Sequence, residues 1–356
     1  MQNSDRLFAF IMAGGSGERF WPMSRQRTPK HLLRLLGDHT LLEATVARLE
    51  GVVPPEHVFI LTNEMQVTET RAVVPSIPAE NVIAEPAKRD TAPACALATA
   101  IAAQLRPDAI CAILPADAMI HNVAKFREQF SDAVDVAASG PAIVTLGVPP
   151  THPATGFGYL ETGAPLAAGA RGSEIRRLQR FVEKPDLATA TAYFEDGNFY
   201  WNAGIFLWQA STFIAEAKRQ KPDLAAFIEG LTPGLPIAPY LAEHFANLPK
   251  ISVDYAIMEH AGEVVAVLSE FDWDDVGAWT ALPAHLGLDP HGNSVRGPVI
   301  QHGSTGNIAV SNGRTIALCG VQDLVVIETP DAILVCHKDA VQHVKNLQPQ
   351  LPEELR

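Results

Sequence analysis

Between Ala13 and Lys30 the chain gathers the groups that an anion needs. Gly14-Gly15-Ser16-Gly17 closes an apolar run, Leu7–Ala13, that has the length of a buried strand. A turn so poor in side chains presents bare N–H groups, and Arg19, Arg25, Arg27 and Lys30 follow it with only Glu18 opposing them. The loop that can cradle phosphate is therefore also locally positive, which points to a nucleoside triphosphate. Two familiar glycine loops are excluded. A dinucleotide fingerprint needs glycine where Phe20 stands, and a kinase-type P-loop needs Lys-Ser/Thr where Glu18-Arg19 stands.

Other candidates lie farther along. Asp117 ends the run Leu114-Pro115-Ala116-Asp117. A lone carboxylate aimed at phosphate repels it unless a cation lies between, and magnesium suits that place; an Asx turn is the structural alternative. Asp272, Asp274 and Asp275 repel one another unless they are exposed or share a cation. Glu183-Lys184-Pro185 sets an acceptor and a point charge beside a stiff residue, although an exposed pair at a turn would look the same. Asn202 offers both a donor and an acceptor. In Glu85–Ala94 a strand ends and an alanine-rich helix, Ala94 to Leu105, begins, with Asp90 or Thr91 as its N-cap.

Placing these groups requires a sheet. Runs at Leu7–Ala13, His57–Thr62, Asn81–Glu85, Ala109–Leu114 and Ala142–Val148 alternate with helical segments, one of them opened by the capping box Thr40-Leu-Leu-Glu43. Such alternation predicts a parallel sheet covered on both faces, with ligands beyond the strands' carboxyl ends. Those ends carry Gly14–Gly17, Asn63, Glu85 and Asp117. Past Leu288 short β segments recur with Gly, Asn and Asp turns, and an amphipathic helix is expected over Asp339–Leu347. The expected division is a large domain, 1–288, and a small β module, 289–356.

With 356 residues, 47% of them hydrophobic and 19% charged, the chain has enough apolar material for a sizeable core. Its net charge of −13 argues against a nucleic-acid partner. Cys95, Cys111, Cys319 and Cys336 lack C-x-x-C spacing, so reduced thiols are expected rather than a zinc site or a disulfide framework. No run has the length of a membrane span or the form of a signal peptide, and a cytoplasmic location without membrane attachment is expected.

Taken together the motifs carry a resemblance. Gly14, Gly15, Gly17, Arg19, Pro22, Ser24, Arg25, Pro29 and Lys30 spell G-G-x-G-x-R-x-x-P followed by S-R-x-x-x-P-K. With E-P-x-x-R-D-T-A-P-A from Glu85, L-P-A-D to Asp117, T-G-F-G-Y-L from Thr155, F-V-E-K-P from Phe181, W-N-A-G-I-F from Trp201 and D-V-G-A-W from Asp275, the chain resembles the sugar nucleotidyltransferases. Among these it is most similar to the mannose-1-phosphate guanylyltransferases.

The resemblance implies an α/β fold: a Rossmann-like (GT-A-like), mostly parallel mixed sheet flanked by helices, with a small left-handed β-helix-like C-terminal module and a terminal helix. It implies transfer of GMP from GTP to α-D-mannose 1-phosphate, a Mg2+ cofactor and a homodimer. Gly14, Gly15, Ser16 and Gly17 would hold the triphosphate, with Arg19 and Lys30 favouring departure of pyrophosphate. Glu85, Arg89, Asp90 and Thr91 would border guanine and ribose. Gly158, Glu183 and Asn202 would meet the sugar, Lys184 its phosphate, and Asp117 and Asp275 the metal. Asp90 stands where the family has asparagine, and Ala118 where it has histidine. Longer relatives add an isomerase domain, an activity not expected here. Two alternatives are a glucose 1-phosphate enzyme using UTP or dTTP, and a non-catalytic sensor subunit; the latter should have lost Lys30, Asp117 or Asp275, and all three are present.

Overall fold

The structure, a computed structural model, describes residues 3–356. Its centre is β1 (Leu7–Met12), whose alternate residues serve two cores. Leu7, Ala9 and Ile11 face one cluster, with Leu42 and Val46 of the helix Leu41–Leu49 and Phe126 and Phe130 of the helix Val123–Ser139. Phe8 and Phe10 face the other, against the helices Thr91–Leu105, Ala210–Gln220 and Pro222–Gly230. The Thr40–Glu43 capping box forms with both reciprocal bonds.

Around β1 lie β2 (Val58–Asn63), β3 (Val82–Glu85), β4 (Ile110–Pro115), β5 (Ile143–Val148), β6 (Tyr159–Pro165), β7 (Ile175–Val182), β8 (Phe199–Gln209) and β9 (Val264–Leu268). The nine strands run in the order β3-β2-β1-β4-β8-β5-β9-β7-β6. Strands β1 to β4 pair in parallel, as the alternating pattern predicts. Beyond them the sheet is mixed. β8 runs antiparallel to both β4 and β5, and β6 runs antiparallel to β7. Only residues 166–174 join β6 to β7, too few for the crossover that a parallel neighbour requires.

The C-terminal module has β10 (Ser294–Arg296), β11 (Val299–His302), β12 (Ile308–Ser311), β13 (Ile316–Cys319), β14 (Leu324–Glu328) and β15 (Ile333–His337). β10, β12 and β14 form one parallel ladder, β11 and β13 another, so the chain winds between two small sheets like a β-helix. β15 closes the larger sheet in the antiparallel sense. Asparagines pin the winding: Asn293 Oδ1 accepts from the Asn307 amide at 2.8 Å, and Asn307 Oδ1 from the Leu324 amide at 2.9 Å. The expected terminal α-helix is instead a run of 3-10 turns, Lys338–Gln350. Its buried Val341 and Val344 lie three apart, the period of that tighter helix.

The module is joined to the phosphate-loop region. Phe20, Trp21, Val276 and Trp279 share a third core with Ile308, Val325 and Val341. Trp21 Nε1 also donates to the Leu355 carbonyl at 3.0 Å, and Arg25 pairs with Asp331 at 3.1 Å.

Candidate active site

The loop after β1 is fixed by its neighbour β2: Ala13 donates to the Leu61 carbonyl at 2.8 Å, and Thr62 Oγ1 to the Ala13 carbonyl at 3.0 Å. Gly17 has φ +61°, and a Cβ there would collide with Lys30 Cβ and stand 2.8 Å from the Lys30 nitrogen. Glycine is needed because Lys30 passes directly against the loop. Lys30 itself is only 6% exposed. Its Nζ donates to Asp117 Oδ2 at 2.8 Å and to the main-chain carbonyl of Asp275.

Asp117 and Asp275 belong to loops that are stitched together. Met119 and Asp274 exchange two main-chain bonds, of 2.8 and 3.0 Å. From behind, the buried Arg48 donates to the Ala118 carbonyl at 2.7 Å. Asp272 accepts from the amides of His121 and Asn122 at 2.8 and 2.7 Å, while Asp274 accepts from the Val276 amide at 2.7 Å and meets His285 Nε2 at 3.0 Å. The crowded acidic triplet is thus divided by role: two aspartates are tied to the frame, and Asp275 faces the cavity.

Burial pushes the Asp275 carboxyl up to about 6; Lys30 offsets part of this, and Asp274 and Asp117 add to it. Asp117 is also opposed by burial, but the Lys30 ammonium outweighs that and holds it below the usual range. Both line one cavity of about 240 Å³. Among the described residues no three or more His, Cys, Asp or Glu side chains are placed to hold a metal by themselves. Two hard carboxylates on one wall, one of them short of compensating charge, fit a divalent cation that completes its shell with substrate oxygens.

The same cavity is lined by Gly158, Glu183, Asn202, Asp254, Phe157 and Trp273. A Cβ on Gly158 would stand 2.7 Å from Glu183 Oε2. Lys184 Nζ donates to Glu183 Oε1 at 2.6 Å; burial opposes the Lys184 charge, but Glu183 outweighs it and raises its pKa. Asn202 departs from expectation. Its Oδ1 is occupied by Thr145 Oγ1 at 3.0 Å and the Gly204 amide at 3.1 Å, so only its Nδ2 serves the cavity.

The family follows from comparison with known proteins. The nucleotidyl transferase family model matches residues 8–286, and that of the mannose-phosphate isomerase/GMP-like β-helix domain matches 297–351. Mannose-1-phosphate guanylyltransferase ManC of Salmonella typhimurium is 37% identical over 96% of this chain and 72% of its own length. The chain belongs to the mannose-1-phosphate guanylyltransferases. The guanylyltransferase of Escherichia coli is likewise 37% identical, over 99% of this chain and 74% of its own. A crystal structure from Thermus thermophilus, described as a mannose-1-phosphate geranyltransferase, superposes with a TM-score of 0.88 at 35% identity, covering 97% of this chain and 99% of that one.

Not every group expected of a guanylyltransferase reaches this cavity. Thr91 lines it, and its Oγ1 accepts from the Val253 amide at 2.8 Å. Asp90 is exposed at φ +69° and caps the helix by accepting from the Thr91 amide at 2.8 Å. Arg89 donates to the Ala246 carbonyl, outside the cavity wall. Glu85 stands beside the phosphate loop, 3.6 Å from where a Gly14 Cβ would be, and burial pushes its carboxyl up to about 8. Ser16 donates to Glu18 at 3.1 Å, Gly15 is exposed, and the Arg19 Nε is buried without a partner in the protein. Asp254, Phe157 and Trp273 also line the cavity, with the two ring centroids 5.3 Å apart; sequence patterns assigned none of them a role of its own, although Phe157 lies within the T-G-F-G-Y-L run.

Proposed function

We propose that this guanylyltransferase joins GTP and α-D-mannose 1-phosphate to give GDP-mannose and pyrophosphate, with Mg2+ held by Asp117 and Asp275. The observation that carries the reading is the stitched pair of loops: the Met119–Asp274 bridge joins the segments whose carboxylates line the cavity that Asn202 and Glu183 also line. The sugar phosphate is already anionic and needs no general base. One of its oxygens bonds to the α-phosphorus of GTP while the bond to pyrophosphate breaks. The protein's task is to bring two polyanions into line. The amides of Gly14–Gly17 and the unpartnered Arg19 guanidinium receive the triphosphate. Lys30 stabilises charge growing on the leaving pyrophosphate, and Lys184 holds the sugar phosphate. Magnesium, when bound, neutralises the α-phosphate.

The same reading carries a homodimer in the cytoplasm. The dimer reading draws on Ile300, Ile333 and Val335 of the module, which are exposed. No helix among the described residues is long and apolar enough to cross a membrane.

Pyrophosphate release tests the function, measured with mannose 1-phosphate and magnesium against GTP, ATP, UTP, dTTP and CTP. Release with GTP, abolished by a chelator, is expected. A preference for another nucleotide would overturn the substrate assignment and leave the metal site standing; no release with any would favour a sensor.

A further inference from the structure

Telling one hexose from another requires groups that accept hydrogen bonds as well as groups that donate them, because a hydroxyl in the wrong configuration leaves its protein partner unpaired. In this cavity wall part of the supply of acceptors is already spent, leaving Glu183 Oε2 beside Gly158 as that residue's open oxygen. Asn202 Oδ1 already receives Thr145 and Gly204, and Glu183 Oε1 already receives Lys184. Asn202 Nδ2 points toward Asp254 Oδ1, at 3.4 Å, the long end of hydrogen-bond range. Asp254 lines the same wall and makes no ion pair within 4 Å among the described residues.

We propose that the Asp254 carboxylate accepts from a ring hydroxyl of the bound hexose, and that Asp254 and Asn202 together form the acceptor–donor pair that selects the hydroxyl configuration. The inference rests on the sugar 1-phosphate reading above and adds to it a specificity-determining residue.

The surroundings of Asp254 fit this task. Its turn is held from two sides: Thr91 Oγ1 accepts from the Val253 amide at 2.8 Å, and Ser252 Oγ from the Tyr255 amide at 3.4 Å. The turn therefore aims the carboxylate, whose own contacts include the long one from Asn202 Nδ2 at 3.4 Å and one from the Ser252 side chain. Burial, with Glu183 adding to it, pushes the Asp254 carboxyl up to about 7, and Lys184 offsets only part of this. Its pKa stays raised despite these contacts, so a group so placed gains from the further hydroxyl donors of a bound ligand. Trp273 offers a further clue to a polar occupant, since its indole Nε1 is buried on the same cavity without an acceptor.

The test pairs Asp254→Asn with the 2-, 3-, 4- and 6-deoxy analogues of mannose 1-phosphate at saturating GTP and magnesium. With the parent sugar, Asp254→Asn should raise KM for the sugar phosphate on the order of 10-fold or more and leave KM for GTP unchanged. One deoxy analogue that the wild type handles poorly should lose nothing further in the variant, because the same contact is already missing. If the variant discriminates among all four analogues as the wild type does, or if its losses fall equally on GTP, the proposal is overturned. Asp254→Ser keeps a smaller acceptor and serves if the asparagine variant does not fold. Should the wild type refuse mannose 1-phosphate but turn over another hexose 1-phosphate, the substrate reading fails alone, and the deoxy series of that hexose tests Asp254 in the same way.

Discussion

Lys30 and Asp117 meet at 2.8 Å through an ammonium nitrogen that also donates to the main-chain carbonyl of Asp275. One buried cation thus touches the chain at both proposed metal ligands. Lys30→Met should lower kcat on the order of 10²–10³-fold, the scale of losing one fixed stabiliser of developing charge. KM for either substrate should move far less. Steady-state kinetics with each substrate varied separately decides it, and equal losses in kcat and binding would remove the transition-state role.

His285 reaches the site through its bond to Asp274. Its Nε2 holds Asp274 Oδ2 at 3.0 Å, and Asp274 bonds Met119 through the main chain. His285→Ala should raise the half-saturating magnesium concentration by roughly 10-fold or more, the usual scale for losing a group that orients a ligand. His285→Gln, which keeps a donor in reach, should recover most of it. Direct Mn2+ binding in the presence of GTP should follow the same order, and a variant that melts earlier yet binds metal normally would assign His285 to stability alone.

Glu85 makes stability depend on pH. The folded protein retains this proton up to about pH 8, whereas the carboxyl ordinarily loses it near 4.5. A raised acid pKa means that the folded state holds the proton more tightly, so stability falls as pH climbs from about 4.5 to about 8 and levels off above. Glu85→Gln removes that slope. Its melting temperature should gain on the wild type between pH 5 and pH 8, and KM for GTP should rise if Glu85 borders guanine. Parallel melting curves across that range would show that burial of this carboxyl is not felt.

Local signals in the sequence carried much of this arrangement. The apolar run at Leu7 reads as the central strand, Thr40 and Glu43 as a capping box, and the glycines and arginines after Ala13 as an anion loop. What escaped depends on distant partners. The antiparallel run of β7 against β6 is decided by the short connection between them, 166–174, and not by the strand's own residues. The acidic triplet could be seen as a problem but not solved, because Asp272 finds the His121 amide 151 positions away. Asn202 has the same composition whether its carbonyl is free or spent; only Thr145 and Gly204 decide that. The 3-10 tail read as an α-helix because Val341, Val344 and Leu347 satisfy both periods.

Trp279 is fully buried, 5.0 Å ring to ring from Phe20, in the core that also takes in Ile308, Val325 and Val341. The walls of the phosphate loop and of the Asp275 loop therefore lean on side chains contributed by the β module. The module is a foundation and not a cassette: swapping it between relatives would alter catalysis without changing one residue that meets substrate. Drift in a remote valine of the coil would be felt first as slackness between two aspartates.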